Sequence, residues 1–247
     1  MPVGEDIDAP IGRRPGSRER TPDQAGPAVG AGVAAPGGQR PHSNRWWWLL
    51  VGVLVAGRIA AVPITLDQRA AQGNHKVLTG DIHRFHSIAT HPGTPYRRFE
   101  VEYPPLMLGA IEAIDGGSIN QATAETMWSQ LALDLGVAAL LWWGWGRRAG
   151  LAYLIIGAPF ILYPFLYLRL DLLSVALAVG GLALVRHRRP ALGGAALALA
   201  CFAKVWPVFI VPSLIIRRSW RALAAYAAVG VAGVCLLYTS DAADDLT

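Results

Sequence analysis

Trp46-Trp47-Trp48-Leu49-Leu50-Val51-Gly52-Val53-Leu54-Val55-Ala56-Gly57-Arg58-Ile59-Ala60-Ala61-Val62-Pro63-Ile64 is a stretch with a single charge, Arg58, in it. As a helix it reaches about 28 Å, close to the roughly 30 Å of bilayer hydrocarbon. The three tryptophans form an interfacial anchor, with Arg40 and Arg45 behind them. The same reading applies further along the chain. Met127–Trp145 ends in Trp142, Trp143 and Trp145 and is followed by Arg147 and Arg148. Leu151–Leu168 is a third run, and Leu172–Val185 a fourth that ends at Arg186, His187, Arg188 and Arg189. Ala191–Ile216, broken by Lys204 and Pro207, reads as a short hairpin; Arg217, Arg218 and Arg221 follow, and Ala222 opens a last run. The expected fold class is all-α, a polytopic transmembrane helix bundle of about seven spans.

Composition agrees. The chain is 53% hydrophobic and 16% charged, with a mean hydropathy of +0.35, against about 25% charged residues in soluble domains. A water-soluble enzyme is excluded. The net charge of +5 fits Arg-rich cytoplasmic loops better than a nucleic-acid partner. Cys201 and Cys235 both sit in apolar runs, without disulfide or metal-thiolate spacing.

Orientation turns on Tyr103–Ile114, which is only about 18 Å long as a helix. If it does not span, the basic clusters at Arg45, Arg147/Arg148, Arg186–Arg189 and Arg217–Arg221 share one side, as the positive-inside rule requires. It is therefore kept on the outer face, and residues 65–125 become one large outer loop. The N-terminus is cytoplasmic, while Asp81, Glu102, Arg169, Asp171 and Lys204 fall outside. Residues 1–44, rich in Pro and Gly without an apolar face, are expected to form a disordered cytoplasmic tail. Residues 45–234 form the membrane domain. At the other end, Cys235 to Asp245 reads as one frame of a transposase sequencing adapter, so 235–247 is expected not to be biological. Without Asp241, Asp244 and Asp245 the net charge rises from +5 to +8. The alternative is an ordinary polar tail.

The ionisable residues of the outer side carry the candidate chemistry. Gly80–Ala89 places Ile82, Phe85, Ile88 and Ala89 at helical spacing, an amphipathic helix expected to lie along the membrane surface. Asp81 at its start either caps the helix or serves as a general base at the lipid interface. Tyr96, Arg97, Arg98, Glu100, Glu102 and Tyr103 precede Pro104-Pro105. Their acids suit sugar hydroxyls and their guanidiniums a phosphate, unless they are only a solvated loop with surface ion pairs. Arg169, Asp171 and Lys204 flank apolar helices, where charge is costly unless it is paired or faces water. Asp171 is expected to cap the fourth span and Arg169 to point into a cavity. Lys204 either reaches a phosphate as a point charge or snorkels to the interface. Arg58, inside the first span, is read the same way. His75, His83, His86 and His91 are polar loop residues; His83 and His86 at i, i+3 are the nearest approach to a metal site.

Three strings together, Gly80-Asp81-Ile82-His83-Arg84-Phe85, Pro95-Tyr96-Arg97-Arg98-Phe99 and Glu102-Tyr103-Pro104-Pro105-Leu106, resemble glycosyltransferase family 87, bacterial members of the glycosyltransferase-C superfamily. Arg169-Leu170-Asp171-Leu172-Leu173 and Ala203-Lys204-Val205-Trp206-Pro207 resemble the family's later motifs, so the resemblance runs over about residues 46–234. Phe85 stands where the family commonly has Tyr. The family's later helices are missing, and the chain is expected to be C-terminally truncated. The resemblance implies an inverting hexosyltransferase. Its donor would be a polyprenyl-phosphate-sugar, typically polyprenyl-phosphomannose, and its acceptor a lipid-linked or cell-envelope glycan. It would work on the outer face of the plasma (inner) membrane in contact with membrane lipid. Asp81 is then the general base, and Arg169 and Lys204 hold the donor phosphate. Arg58, Tyr96, Arg97, Glu102, Tyr103 and Asp171 complete the substrate-binding set. No cofactor and no nucleic acid are implied, with a divalent metal left open. The competing reading is a secondary transporter or flippase for an anionic lipid or sugar, favoured only by the broken helix at Lys204-Val205-Trp206-Pro207.

Overall fold

The computed structural model describes residues 45–72, 80–162 and 166–244. The tail 1–44 and His75 lie outside them. Among the described residues the chain is helical and has no strand. In order, the helices are α1 (Arg45–Gln72), α2 (Gly80–Ala89), α3 (Pro105–Ile114), α4 (Ile119–Trp145) and α5 (Arg147–Leu162). After them come α6 (Asp171–Arg186), α7 (Pro190–Ala203), α8 (Val211–Ile216) and α9 (Trp220–Asp244). Two 3-10 turns, Leu166–Leu168 and Trp206–Ile210, precede α6 and α8.

Local sequence explains several of these boundaries. Pro105 and Pro190 open α3 and α7 at positions whose amide hydrogens have no helical partner in any case. Ser118 caps α4, its hydroxyl accepting from the Gln121 amide at 3.4 Å. At the far end of α4 Gly146 takes φ +91° and returns its N–H to the Trp142 carbonyl, a backbone conformation that glycine adopts without steric cost.

Four boundaries differ from the apolar-run reading. Helix α1 continues past Ile64 to Gln72, and α4 starts at Ile119, well before Met127. Both extensions are polar, which an apolar count overlooks although the backbone gains hydrogen bonds there as elsewhere. The Leu151–Leu168 run divides into α5 and the separate turn at Leu166–Leu168. Helix α9 carries on through Cys235 to Asp244, with no Pro or Gly after Gly233 to stop it.

Among the described residues one helix, over Arg45–Gln68, is long and apolar enough to cross a membrane; Pro105–Ile114, Pro190–Ala203, Trp206–Ile216 and Trp220–Leu236 are shorter apolar helices. Large apolar side chains face outward along α1, α5, α8 and α9, among them Trp46, Val53, Ile156, Ile216 and Leu236. In water such a surface is an aggregation hazard; against lipid it is the expected one.

Helix α4 packs against α1, α2, α5 and α6, and α7 lies between α6 and α9. Glycines allow the close approach. A Cβ on Gly181 would stand 2.9 Å from the Gly193 carbonyl oxygen, and one on Gly194 would overlap the Ala222 carbonyl. The apolar face of α2 does not lie on lipid as the amphipathic pattern suggested. Ile82, Phe85 and Ile88 are buried in a protein core with Met107, Ile111, Met127, Leu170, Leu172 and Ala203. Each of the larger side chains contributes about 1.5–3 kcal/mol, and together they fix α2 against α3, α4, the start of α6 and the end of α7.

Candidate functional site

Asp81, Arg169, Asp171 and Lys204 come from three distant segments and meet in one cleft that Phe85, Tyr103 and Leu170 complete. Asp81 lies in the first turn of α2. Arg169 sits on the bend between the 3-10 turn and α6, and Asp171 is the first residue of α6. Lys204 ends α7, where the backbone turns extended (φ −153°, ψ 148°).

The charges pair in a chain. Arg169 Nε is 3.1 Å from Asp81 Oδ2 and 3.9 Å from Asp171 Oδ2. Lys204 Nζ donates to Asp171 Oδ1. Asp171 does not cap α6 as the sequence suggested: the N-cap is Leu170, with no side-chain cap bond, because the Asp171 carboxylate is turned to the two cations. Arg169 approaches it despite a spacing of two because it precedes the helix. The side chains of Asp81 and Arg169 are 46% and 41% exposed, so the site opens to the surface. The free space among them is about 20 Å³, room for about one water.

Tyr103 joins this cleft to the loop before α3. Its ring meets Phe85 edge to face at 5.6 Å, and its carbonyl accepts from the Tyr96 hydroxyl. Burial raises the Tyr103 phenol above its ordinary value, and the Asp81 and Glu102 carboxylates add to the effect, so it remains a proton donor at neutral pH. Burial also raises Tyr96, whose backbone is held at φ +66°, an uncommon conformation for a residue with a Cβ. Arg84 grips Glu102 with two hydrogen bonds, Nε to Oε1 at 3.0 Å and Nη2 to Oε2 at 2.7 Å, and also reaches the Glu100 carbonyl at 3.2 Å. This pairing holds Glu102 below the usual carboxylate range and raises Arg84. Arg84, Tyr96, Glu100, Val101 and Glu102 line an open depression of about 420 Å³ beside the cleft. Arg97 is exposed on the same loop.

Arg58 stands apart. It is 1% exposed and its Nε donates to Asp134 Oδ2 at 2.8 Å, with further bonds to the Leu54 and Leu154 carbonyls. The Tyr153 and Tyr167 hydroxyls donate to the same Asp134 carboxylate at 2.6 and 2.8 Å. Asp134 was missed in the sequence although it is the one acid in the run Met127–Trp145. A lone acid in one span and a lone base in another are a readable signal for a pair. Arg84 and Gln130 were also missed. His86 pairs with Asp115 at 2.6 Å, and no group of three or more His, Cys, Asp or Glu able to hold a metal occurs among the described residues.

A sequence profile described as glycosyltransferase family 87 matches residues 103–243. Tyr103, Arg169, Asp171 and Lys204 fall within that stretch; Arg58, Asp81, Tyr96, Arg97 and Glu102 precede it. No curated protein and no solved structure matches the chain. The transporter reading finds no support in the match.

Proposed function

The chain belongs to glycosyltransferase family 87, and on that premise we propose that it moves a hexose, mannose being the first candidate, from a polyprenyl-phosphate-sugar to a lipid-linked or cell-envelope glycan. The reading places it in the plasma membrane as a multi-pass bundle of about seven spans, with its N-terminus cytoplasmic and its cleft on the outer face. The exposed apolar side chains of α1, α5, α8 and α9 support the membrane part of this reading.

The observation that carries the chemistry is the convergence of two carboxylates and two cations from α2, the start of α6 and the end of α7. Arg169 and Lys204 are the groups that hold the donor phosphate, and its arrival draws Arg169 away from Asp81. The freed Asp81 carboxylate then takes the proton of an acceptor hydroxyl. The acceptor oxygen bonds to the sugar's anomeric carbon as the bond from that carbon to the phosphate oxygen breaks. The electron pair leaves with polyprenyl phosphate, whose charge the two cations stabilise. Attack opposite the leaving group inverts the anomeric centre.

The test is transfer of labelled mannose from polyprenyl-phosphomannose in membrane vesicles carrying the protein. Asp81→Asn abolishes transfer while membrane insertion stays normal. Transfer at the unaltered rate by that variant overturns the general-base assignment.

A further inference from the structure

Gln130 and Asp134 lie one turn apart on α4, and each is 1% exposed. They hold the chain on both sides of Arg169. Asp134 Oδ2 accepts from the Tyr167 hydroxyl at 2.8 Å, and Gln130 Oε1 accepts from the Leu172 amide at 3.3 Å. Between these two points the chain alternates: Leu168 and Leu170 are buried, whereas Arg169 and Asp171 emerge into the cleft. Leu170 offers no cap to α6, so Gln130 supplies from another helix what the local sequence lacks. Arg58 serves as the counter-ion that makes a buried Asp134 tolerable.

We propose that Gln130 and Asp134 are positioning residues for glycosyl transfer. Acting through the Leu172 amide and the Tyr167 hydroxyl, they fix the segment 167–172 so that Arg169 and Asp171 face Asp81 and Lys204. This rests on the glycosyltransferase reading of the cleft. A buried network of this kind also stabilises the bundle, so the test must separate presentation of Arg169 from stability.

The network contains its own control. Tyr153 donates to the same Asp134 carboxylate, through Oδ1 at 2.6 Å, but belongs to α5 and not to the segment bearing Arg169. Tyr167→Phe and Tyr153→Phe each delete one hydroxyl from the same acceptor. Tyr167→Phe raises the KM for polyprenyl-phosphomannose about tenfold, the scale of one lost hydrogen bond to a charged group, and leaves the acceptor KM unchanged. Gln130→Met does the same. Tyr153→Phe lowers thermal stability to a similar degree and leaves both KM values unchanged. Equal effects of the two tyrosine variants on donor KM overturn the proposal, as does an unchanged donor KM in Tyr167→Phe and Gln130→Met. If Asp81→Asn leaves transfer intact, the reading of the cleft fails instead. The Nε–Hε resonance of Arg169 then decides positioning by itself: it shifts or broadens in Tyr167→Phe and not in Tyr153→Phe, and the same response in both overturns the proposal.

Discussion

Arg169 Nε stands 3.1 Å from Asp81 Oδ2, so the group assigned to the donor phosphate and the group assigned to the acceptor proton neutralise each other in the resting cleft. On the proposed reading an arriving phosphate competes with Asp81 for the guanidinium. Both side chains are more than two-fifths exposed, and an ion pair at that exposure is worth about 0–1 kcal/mol. Removing the competitor therefore has a calculable effect. Asp81→Asn binds polyprenyl phosphate more tightly, by up to about fivefold, although it transfers no sugar. Titration calorimetry in nanodiscs measures this directly. Weaker binding in the variant would show that Asp81 does not compete with the phosphate for Arg169.

The same cleft shows where sequence reading succeeds and where it stops. Gly80–Ala89 is legible because apolar residues recur at helical spacing, and Leu172–Val185 because an unbroken apolar run ends at a basic cluster; α2 and α6 follow them closely. The break at Lys204 is legible for the opposite reason, a charge and a proline interrupting an apolar run. The Asp81–Arg169 pair is not legible from spacing, since 88 residues separate its members; only the family strings brought them together. Asp171 was expected as a cap because an acid at a helix start usually is one. Arg169, two residues before it, and Lys204, from the end of α7, draw its carboxylate away from the local amides, and Gln130 of α4 accepts from the Leu172 amide instead. Tyr96 gives no sign in the sequence of its positive φ, which the turn before Tyr103 imposes.

Arg58 and Asp134 form a buried ion pair at 2.8 Å, and the cost of breaking it differs from its net worth. Removing one partner strands a charge among apolar helices, a loss of about 3–5 kcal/mol. Removing both strands none. Arg58→Met is therefore expected to lower the thermal unfolding temperature sharply in detergent micelles, whereas Arg58→Met combined with Asp134→Leu recovers most of the loss. Equal destabilisation by the single and double variants would mean that the two tyrosine hydroxyls on Asp134, and not the ion pair, dominate the network.

Arg84 and Glu102 form the exposed counterpart, joined by two hydrogen bonds but 41% and 55% exposed. Hydrogen bonding by Arg84 holds the Glu102 carboxyl below its ordinary range, and the sign of the pH dependence follows. A carboxyl whose pKa is lowered by folding contributes stability above its unfolded value, near pH 4.3, and that stability is lost as the pH falls through the depressed folded value. Solvent screening limits the contribution to about 1 kcal/mol at most. Glu102→Gln should thus lower the unfolding temperature slightly at neutral pH, and the difference from the unaltered protein should shrink to nothing at acid pH. Added salt should shrink it at neutral pH as well. Thermal unfolding of both proteins across this range decides the matter. A difference that persists unchanged into acid would mean that Glu102 acts by packing and its charge contributes nothing to the hold on the loop before α3.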